Sequence, residues 1–295
     1  MLKYQKWINK NTHSLKGKTV LIVGGTGSIG RKVINYLLAL DANVIVAARN
    51  VLKAKELFSN QPNLSIEFLD ISDLDSIDAF QLEIDKKYPN IDILINNAGI
   101  LNAFEKTSKQ GYEMHFAANA LGNYYLTKKL LFDLKDNAKI INTSSISYNF
   151  NKINFNDFEG IFYRNSIKRY GLTKRIMTFN TLSIKDSLKE TNIKINLVHP
   201  GICATELFIK NKAFIYKMFY PLMKLFFHSE DKAALSIVKG IFTETRFNEW
   251  IGPSILNIWG YPKISLLNKK VCDLKTIIKV NEITENLIKK HLIKE

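Results

Sequence analysis

Cysteine is scarce in this chain of 295 residues, and the only two, Cys203 and Cys272, lie far apart. Zinc sites and disulfide frameworks use several closely spaced cysteines, so the sequence predicts neither a metal nor a disulfide, and it fits a reducing compartment. No apolar run approaches the roughly 18 consecutive residues that span a bilayer. We therefore expect a soluble, cytoplasmic protein, with peripheral contact at a membrane surface as an open alternative.

The amino terminus lacks the continuous apolar stretch and the small-residue cleavage site of a secretory signal. Residues 1–16 instead mix lysines with polar residues, and we expect them to be a retained N-terminal extension. No repeat, low-complexity linker or Pro/Gly-rich boundary divides the rest, so residues 17–295 are predicted to form a single domain. The sequence leaves open whether the chain forms a homo-oligomer.

Positive charge exceeds negative charge strongly, with a formal net charge of +15 at pH 7. Such a balance suits nucleic acid, an anionic membrane surface or an anionic cofactor. The basic residues are spread over the whole length, and no recognised nucleic-acid-binding motif accompanies them. We expect no nucleic-acid partner.

Short apolar runs alternate with longer segments of helical period along most of the chain. This alternation predicts an α/β fold, a single Rossmann-type doubly wound parallel β-sheet flanked by helices on both faces. The predicted strands are residues 19–23, 43–47, 65–69, 91–95, 139–143 and 194–198, with a last strand near 250–252. The main predicted helices are residues 31–40, 52–59, 74–87, 112–134 and 166–190.

A glycine-rich turn follows the first predicted strand and leads into a helix. Such a turn lets the backbone approach a pyrophosphate, whose charge the free N–H groups and the dipole of the helix N-terminus favour. The predicted cofactor-binding residues of this turn are Gly24, Thr26, Gly27, Ser28, Ile29 and Gly30.

The end of the second predicted strand carries a cation where NAD-binding enzymes usually carry a carboxylate. Arg49 stands there, and Lys53 follows one helical turn later. A guanidinium can hold a 2′-phosphate through paired hydrogen bonds, whereas a carboxylate would repel it. The sequence therefore predicts NADP(H) in preference to NAD(H), and a solvated surface arginine is the alternative.

Further motifs follow the glycine-rich turn in a fixed order. They are Asp70, Asn96-Asn97-Ala98-Gly99, Asn119, Ser144-Ser145, Tyr170 with Lys174, and His199-Pro200-Gly201 with Thr205. Together the set resembles the short-chain dehydrogenase/reductase family, and within it the retinol-dehydrogenase-like and WW-domain-oxidoreductase-like branch.

The resemblance implies a role for each matching residue. Tyr170 would exchange a proton with the substrate oxygen, Ser145 would orient that oxygen, and Asn119 would hold a water. Lys174 would bond the nicotinamide ribose and stabilise the phenolate, and its i, i+4 spacing from Tyr170 places both on one helical face. The resemblance also makes Tyr170 a cofactor contact, like Lys174. The other implied cofactor contacts are Asp70, Ile71, Asn97, Ala98, Gly99, Pro200, Gly201 and Thr205.

This branch tends to act on lipophilic alcohols, aldehydes and ketones, so the resemblance implies an NADP(H)-dependent oxidoreductase for a lipophilic carbonyl or alcohol. Residues 147–165 and 206–228 interrupt the alternation after predicted strand ends, and we expect them to be substrate-lid segments. The basic and aromatic segment 206–228 suits a pocket lid, a membrane contact or plain packing.

Two other functions stay open. A non-catalytic NADP(H)-binding sensor would keep the fold without turnover. The glycine spacing of the turn is typical of longer, epimerase-like members of the family, so a nucleotide-sugar epimerase or dehydratase is the third alternative.

Overall fold

A computed structural model describes residues 3–59, 61–103, 105–203 and 228–293. One eight-stranded sheet forms its centre, with the strand order β3-β2-β1-β4-β5-β6-β7-β8. Seven strands are parallel and β8 is antiparallel to β7, which confirms the predicted Rossmann-type sheet. The strands are β1 Thr19–Val23, β2 Asn43–Ala48, β3 Leu64–Phe68, β4 Ile91–Asn96, β5 Leu134–Thr143, β6 Lys194–Val198, β7 Glu249–Ile255 and β8 Trp259–Leu266.

Helices cover both faces of the sheet. They are α1 Gln5–Asn11, α2 Ser28–Ala39, α3 Val51–Leu57, α4 Leu74–Lys87, α5, α6 Ser166–Ser187, α7 Glu230–Phe242 and α8 Leu274–Leu292. Helix α5 is continuous and consists of Met114–Phe116, a π-helical turn Ala117–Leu121, and Gly122–Leu130. Among the described residues, none of the helices has the length and apolar character needed to cross a bilayer.

The apolar runs that predicted the strands are buried on both faces of the sheet. In β1, Leu21 and Val23 belong to one apolar cluster, whereas Val20 and Ile22 belong to a second cluster. Because successive side chains of a strand point to opposite faces, a strand covered on both sides needs a continuous apolar run instead of alternation. The sequence Val20-Leu21-Ile22-Val23 meets this requirement.

The structure differs from the sequence prediction at several element ends, and it contains α1 and β8, which were not predicted. Strand β5 begins at Leu134, five residues early, because Leu134 pairs with Ile91 ahead of a bulge. Helix α2 begins at Ser28 instead of residue 31, so its N-terminus lies inside the glycine-rich turn. Strand β8 was not predicted, since Gly260 and Pro262 interrupt its apolar pattern; proline is tolerated there because β8 is an edge strand.

The strand order reverses between β1 and β4. From β1 the chain moves outward to β2 and β3, then returns to β4 on the other side of β1. In open parallel sheets the crevice beyond the carboxyl ends of the strands at such a reversal is the usual ligand site. The fold therefore points to the loops after β1 and β4 as the place to look for function.

Asp92 in β4 is a buried carboxylate at the opposite, amino-terminal edge of the sheet. It accepts hydrogen bonds from the Thr19 N–H at 2.9 Å and from the ammonium groups of Lys18 at 2.9 Å and Lys135 at 3.0 Å. Burial alone would raise the pKa of Asp92, but these bonds and charges outweigh it and lower the pKa. The carboxylate therefore stabilises the fold in its ionised form.

We expect Asp92→Asn to lower the free energy of unfolding at pH 7 by about 1–3 kcal/mol, since charge-assisted bonds are lost. The folded pKa of Asp92 lies below the unfolded value of about 3.9, so this stabilisation is present above about pH 4 and disappears as the pH falls further. Urea unfolding of both proteins from neutral to acid pH tests this. A difference that does not shrink at low pH would contradict it.

Candidate cofactor and catalytic site

The glycine-rich turn packs directly against the loop after β4. Gly24 has φ +81°, and a Cβ there would lie 2.5 Å from the Ala98 nitrogen. The Asn97 N–H donates to the Val23 carbonyl at 3.0 Å, and the Asn97 side-chain amide donates to the Gly24 carbonyl at 3.2 Å. A Cβ at Gly30 would in turn overlap the Gly24 carbonyl oxygen. The structure thus brings the predicted turn and the predicted Asn97-Ala98-Gly99 loop together at the strand reversal.

The first turn of α2 keeps its N–H groups free of a side-chain cap. Gly27 is the N-cap residue and has no side chain to cover these groups. The atom nearest to a Cβ there would be the Gly24 carbonyl oxygen, at 3.6 Å. No acidic residue occupies the first turn. Uncapped N–H groups at the positive end of a helix dipole favour an anion. This cradle, with Thr26, Ser28 and Ile29 beside Gly27, fits the pyrophosphate of a dinucleotide.

The carboxyl ends of β2 and β3 bring Arg49 and Asp70 together. The Arg49 side chain is 69% exposed, and its Nη1 lies 3.8 Å from Asp70 Oδ2. The other oxygen of Asp70 is fixed by the Ser72 N–H at 3.0 Å and the Ser72 hydroxyl at 2.7 Å. Arg49 is therefore free to turn towards a ligand, whereas Asp70 is held in place.

Lys53 and Ile71 lie near these residues along the chain. Lys53 follows Asn50, whose side chain caps α3 by accepting from the Lys53 N–H at 2.9 Å. Sequence reasoning missed this cap, although an asparagine directly before a helical apolar run is its usual signal. The Ile71 carbonyl lies so close to α5 that a Cβ at Gly122 would overlap it.

Asn119 lies in the π-helical turn of α5 and is fully buried. Its Oδ1 accepts from the Ile100 N–H at 2.7 Å, and its Nδ2 donates to the Ile100 carbonyl at 2.9 Å and to the Thr173 hydroxyl at 3.1 Å. The side chain therefore joins the loop after β4 to helix α6. The π turn, which has no signal in the sequence, aims the amide at this loop.

Lys174 is almost fully buried, with 2% of its surface exposed, and lies on α6 beneath the end of β5. Its ammonium group donates to the Thr143 carbonyl at 2.7 Å and lies 3.7 Å from Met177 Sδ. A Cβ at Gly99 would be 3.4 Å from the same nitrogen and 3.6 Å from Asn119 Oδ1. Gly99 thus separates the two polar side chains and leaves a narrow space between them.

Tyr170 lies one turn before Lys174 on α6, and Ser145 follows the end of β5. The Ser145 hydroxyl interacts with the Tyr170 phenol in favour of its ionised form, and Lys174 Nζ lies 5.7 Å from the centre of the Tyr170 ring. The neighbouring Ser144 serves the packing instead, because its hydroxyl shares a hydrogen bond of 2.9 Å with the buried Thr178 hydroxyl. The structure thus assembles all four predicted catalytic residues around the ends of β4 and β5.

Burial controls the ionisation of this group. It raises the pKa of Tyr170 to about 12, against a smaller lowering by the Ser145 bond. It lowers the pKa of Lys174 to about 8. The expected lowering of the phenol pKa by Lys174 is therefore absent among the protein's own groups, since the ammonium is turned to Thr143. At neutral pH the site holds a neutral phenol beside a cationic lysine.

Pro200 and Gly201 follow β6 at the same edge of the sheet. Gly201 has φ +86°, and a Cβ there would lie 3.0 Å from His228 Nδ1. The preceding His199 is buried, stacks on Trp250 at 5.2 Å, and has its pKa lowered to about 3 by burial. Such an uncharged, packed imidazole suits a structural role in the fold.

The two expected lid segments differ in what the structure describes. Thr205 and all of segment 206–228 except His228 lie outside the described residues. Segment 147–165 includes most of one short 3-10 helix, Ile146–Asn149, and all of a second, Phe155–Asp157, and it exposes Phe150, Phe155 and Phe162. Among the described residues, no group of three or more His, Cys, Asp or Glu side chains is arranged to hold a metal ion.

The family model for short chain dehydrogenases matches residues 18–214, which include every site residue named above. The chain belongs to the short-chain dehydrogenase/reductase family. Members of this family are oxidoreductases with a nicotinamide cofactor, so the chain is an oxidoreductase of this kind.

Curated relatives place this short-chain dehydrogenase in the retinol-dehydrogenase-like branch. It is 32% identical to retinol dehydrogenase 13 of Mus musculus over 234 residues, 75% of this chain and 70% of the relative. It is 33% identical to retinol dehydrogenase 14 of Mus musculus over 65% of this chain and 63% of that relative. It is 34% identical to the chloroplastic short-chain dehydrogenase TIC 32 B of Brassica napus over 67% of this chain and 68% of that relative.

Solved structures share the fold of this dehydrogenase. An uncharacterised protein from Mycobacterium paratuberculosis superposes with a TM-score of 0.77 at 20% identity, covering 94% of this chain and 95% of its own. The NADP active-site complex of RhlG from Pseudomonas aeruginosa superposes with a TM-score of 0.60 at 20% identity, covering 78% and 91%.

Gly24 and Gly17 offer a matched test of the glycine-rich turn. Their φ angles are similar, +81° and +76°, but a Cβ at Gly17 would meet nothing within 4 Å. Gly17→Ala should therefore cost only the backbone strain, about 1–2 kcal/mol. Gly24→Ala should cost more and weaken cofactor binding, because it displaces the Ala98 backbone. Urea unfolding and a fluorescence titration with NADPH measure both effects, and equal behaviour of the two variants would refute the close approach.

Proposed function

We propose that this dehydrogenase is NADP(H)-dependent and transfers a hydride between the nicotinamide and a lipophilic carbonyl or alcohol, with Tyr170 as the general acid and base. The observation that carries this proposal is the meeting of the Tyr170 phenol with the Ser145 hydroxyl beside the buried Lys174 ammonium. The bound cofactor supplies the hydride. The remaining steps belong to side chains of this chain.

The substrate oxygen needs a proton as negative charge builds on it. The Ser145 hydroxyl is placed to donate a hydrogen bond to that oxygen, and the Tyr170 phenol is placed to transfer its proton. Because burial raises the pKa of Tyr170 to about 12, the phenol keeps this proton at neutral pH until the oxygen becomes basic. The arrangement therefore suits the reduction of a carbonyl.

In this proposal Lys174 is the cation next to Tyr170 when the phenol gives up its proton, since its pKa is about 8 and its Nζ lies 5.7 Å from the centre of the ring. Lys174 would also hold the nicotinamide ribose, with Gly99, Pro200, Gly201 and Thr205 as further proposed cofactor contacts. Asn119 fixes the loop that faces it.

Replacing Tyr170 with phenylalanine should lower kcat by about 100- to 10,000-fold, because the proton donor is removed. Cofactor affinity should stay the same, since the glycine-rich turn and Arg49 are untouched. Tyr261→Phe is the matched control, because Tyr261 packs against Trp7 of α1, outside the site. Steady-state kinetics and NADPH titration of the wild type, Tyr170→Phe and Tyr261→Phe measure kcat and cofactor affinity. Full turnover by Tyr170→Phe would show that Tyr170 is not the proton donor.

NADP(H) preference follows from the charge at the end of β2. Arg49 is exposed at the edge of the crevice, with Lys53 on the following helix, so two cations are available for a 2′-phosphate. The distance of 3.8 Å between Arg49 Nη1 and Asp70 Oδ2 is too long for a hydrogen bond. The Arg49 guanidinium can therefore move to bind a phosphate, which accepts paired hydrogen bonds. Asp70 with Ile71 would then border the adenine.

Arg49→Glu should reverse the preference, because a carboxylate repels the 2′-phosphate but accepts bonds from a ribose hydroxyl. We expect the ratio of NADPH to NADH affinity to fall by about 100-fold, a difference of about 2.7 kcal/mol. Arg246→Glu is the control with the same charge change, since Arg246 precedes β7 at the opposite edge of the sheet. Titrations with both cofactors measure the ratios, and an unchanged ratio for Arg49→Glu would contradict the assignment.

A lipophilic substrate is supported by the segment between Ser145 and Tyr170. It exposes Phe150, Ile161 and Phe162, the last by 80%. Both acids of this segment are withdrawn from the surface, because Asp157 is buried and caps the Ile161 and Phe162 N–H groups, and Glu159 bonds to a backbone N–H of α5. Its exposed charges are all cationic, Lys152, Arg164 and Lys168. An apolar and basic surface of this kind suits an anionic membrane, the expected source of a lipophilic substrate.

The double variant Phe150→Asp/Phe162→Asp should abolish flotation with vesicles of phosphatidylcholine and phosphatidylserine. Phe132→Asp is the matched control, since Phe132 is 93% exposed but precedes β5 at the opposite edge of the sheet. Wild type and control should float with these vesicles and release at high salt. Equal flotation of the double variant, or none by the wild type, would remove membrane contact from the proposal.

A further inference from the structure

A buried acid and base occupy the N-terminus of α5, apart from the residues assigned to the reaction. His115 and Glu113 are 2% and 5% exposed. The His115 Nδ1 lies 2.7 Å from Glu113 Oε1, and its Nε2 lies 2.8 Å from the Leu101 carbonyl oxygen. Glu113 Oε2 accepts from the Phe116 N–H at 2.9 Å. Every polar atom of the two side chains therefore has a fixed partner.

Both ring nitrogens of His115 face acceptors. Contacts at 2.7 Å and 2.8 Å on the two sides of the ring hold the imidazole in one orientation. The Phe116 N–H holds the second carboxylate oxygen of Glu113, and the Arg169 guanidinium lies 3.8 Å from Glu113 Oε1.

Two other charged side chains, Glu159 and Arg169, lie near the His115–Glu113 pair. The segment before α6 contributes Glu159, whose carboxylate accepts from the Glu113 N–H at 2.8 Å. Burial and the nearby Glu113 and Asp157 raise the pKa of Glu159. Arg169 of α6 is the cation that faces the pair, with its Nη1 3.8 Å from Glu113 Oε1.

The pair contacts both halves of the catalytic site. Leu101 directly follows Ile100, whose N–H and carbonyl are held by Asn119. His115 lies one helical turn before Asn119. Helix α5 therefore holds two successive residues of the loop after β4, Ile100 and Leu101. On the other side, Arg169 directly precedes Tyr170. The chain of contacts runs from the loop after β4, through His115 and Glu113, to the residue beside the proton donor.

We propose that His115 and Glu113 are positioning residues of the reaction. Together they fix the loop at Leu101 and the start of α6 relative to each other, so that a substrate oxygen meets Ser145 and Tyr170 at the right distance. The pair touches neither the substrate oxygen nor the cofactor in this scheme. This inference rests on the proposed carbonyl reduction.

The test compares three substitutions in carbonyl reduction with NADPH. His115→Leu removes both bonds and should lower kcat by roughly 100-fold, the loss that a displacement of about 1 Å causes in an oriented site. His115→Gln keeps a donor for the Leu101 carbonyl and should recover about tenfold of that loss. Glu113→Gln should lower kcat as well, and its combination with His115→Leu should lower kcat by less than the product of the single effects. KM for the carbonyl should change less than kcat, and the NADPH dissociation constant should not change.

A stability control separates positioning from simple damage to the fold. Thr284→Val removes a buried hydroxyl of α8 that bonds to Asn180 and to the Val280 carbonyl. It should destabilise the protein without lowering kcat. If His115→Leu lowers kcat no more than Thr284→Val does at the same temperature margin below the unfolding midpoint, or if His115→Gln gives no recovery over His115→Leu, the inference is wrong.

Different results refute the proposed function and the positioning role. A wild-type protein that binds NADPH but reduces no carbonyl refutes the proposed function, and the positioning role falls with it. A wild type that reduces carbonyls while the His115 and Glu113 variants match it refutes only the positioning role.

Discussion

The burial of one ammonium group organises the candidate site. The Lys174 ammonium is almost completely buried. A buried cation without hydrogen-bond partners lowers the stability of the fold, so Lys174 requires acceptors inside the protein. The Thr143 carbonyl is the partner that the protein supplies at 2.7 Å, and it exists because β5 ends at that residue. The end of β5 therefore fixes where the ammonium lies. Since Tyr170 lies one turn before Lys174 on α6, the same bond sets the position of the phenol.

A ladder of buried polar side chains holds the rest of the sheet edge to its helices. The Asn96 amide donates to the Thr127 hydroxyl of α5 at 2.9 Å and to the Asn142 side chain of β5 at 2.8 Å. The Asn142 amide then donates to the Thr181 hydroxyl of α6 at 2.8 Å. Buried networks of this kind are rigid, because breaking any of these bonds leaves a further buried polar group without a partner. They keep β4, β5, α5 and α6 in one register around Lys174.

The sequence predicted those parts of the molecule that depend on local physics. Strands such as Val20-Leu21-Ile22-Val23 are recognisable because both sides of a covered strand must be apolar. The glycine-rich turn is recognisable because Gly24 and Gly30 lie where no Cβ fits. Tyr170 and Lys174 are recognisable because four residues make one helical turn. Each of these signals is carried by neighbours along the chain.

What the sequence did not predict depends on contacts between distant segments. The π turn that orients the Asn119 side chain is determined by packing against other segments, and the local sequence does not indicate it. Strand β8 forms despite Pro262 because an edge position tolerates it. The pairing of His115 with Leu101 and the bond of Lys174 to the Thr143 carbonyl join elements that only the folded sheet brings together. Residue types alone could not show that burial raises the pKa of the Tyr170 phenol.

The measurement that tests this account most directly is a fluorescence titration of the wild-type protein with NADPH and NADH, followed by turnover with carbonyls from short and polar to long-chain and polycyclic. The account predicts tighter binding of NADPH and reduction of the apolar members. Tight binding without any turnover would contradict the enzymatic role and favour an NADP(H)-binding sensor. Absence of binding would contradict the assignment of the glycine-rich turn, on which the proposed function rests.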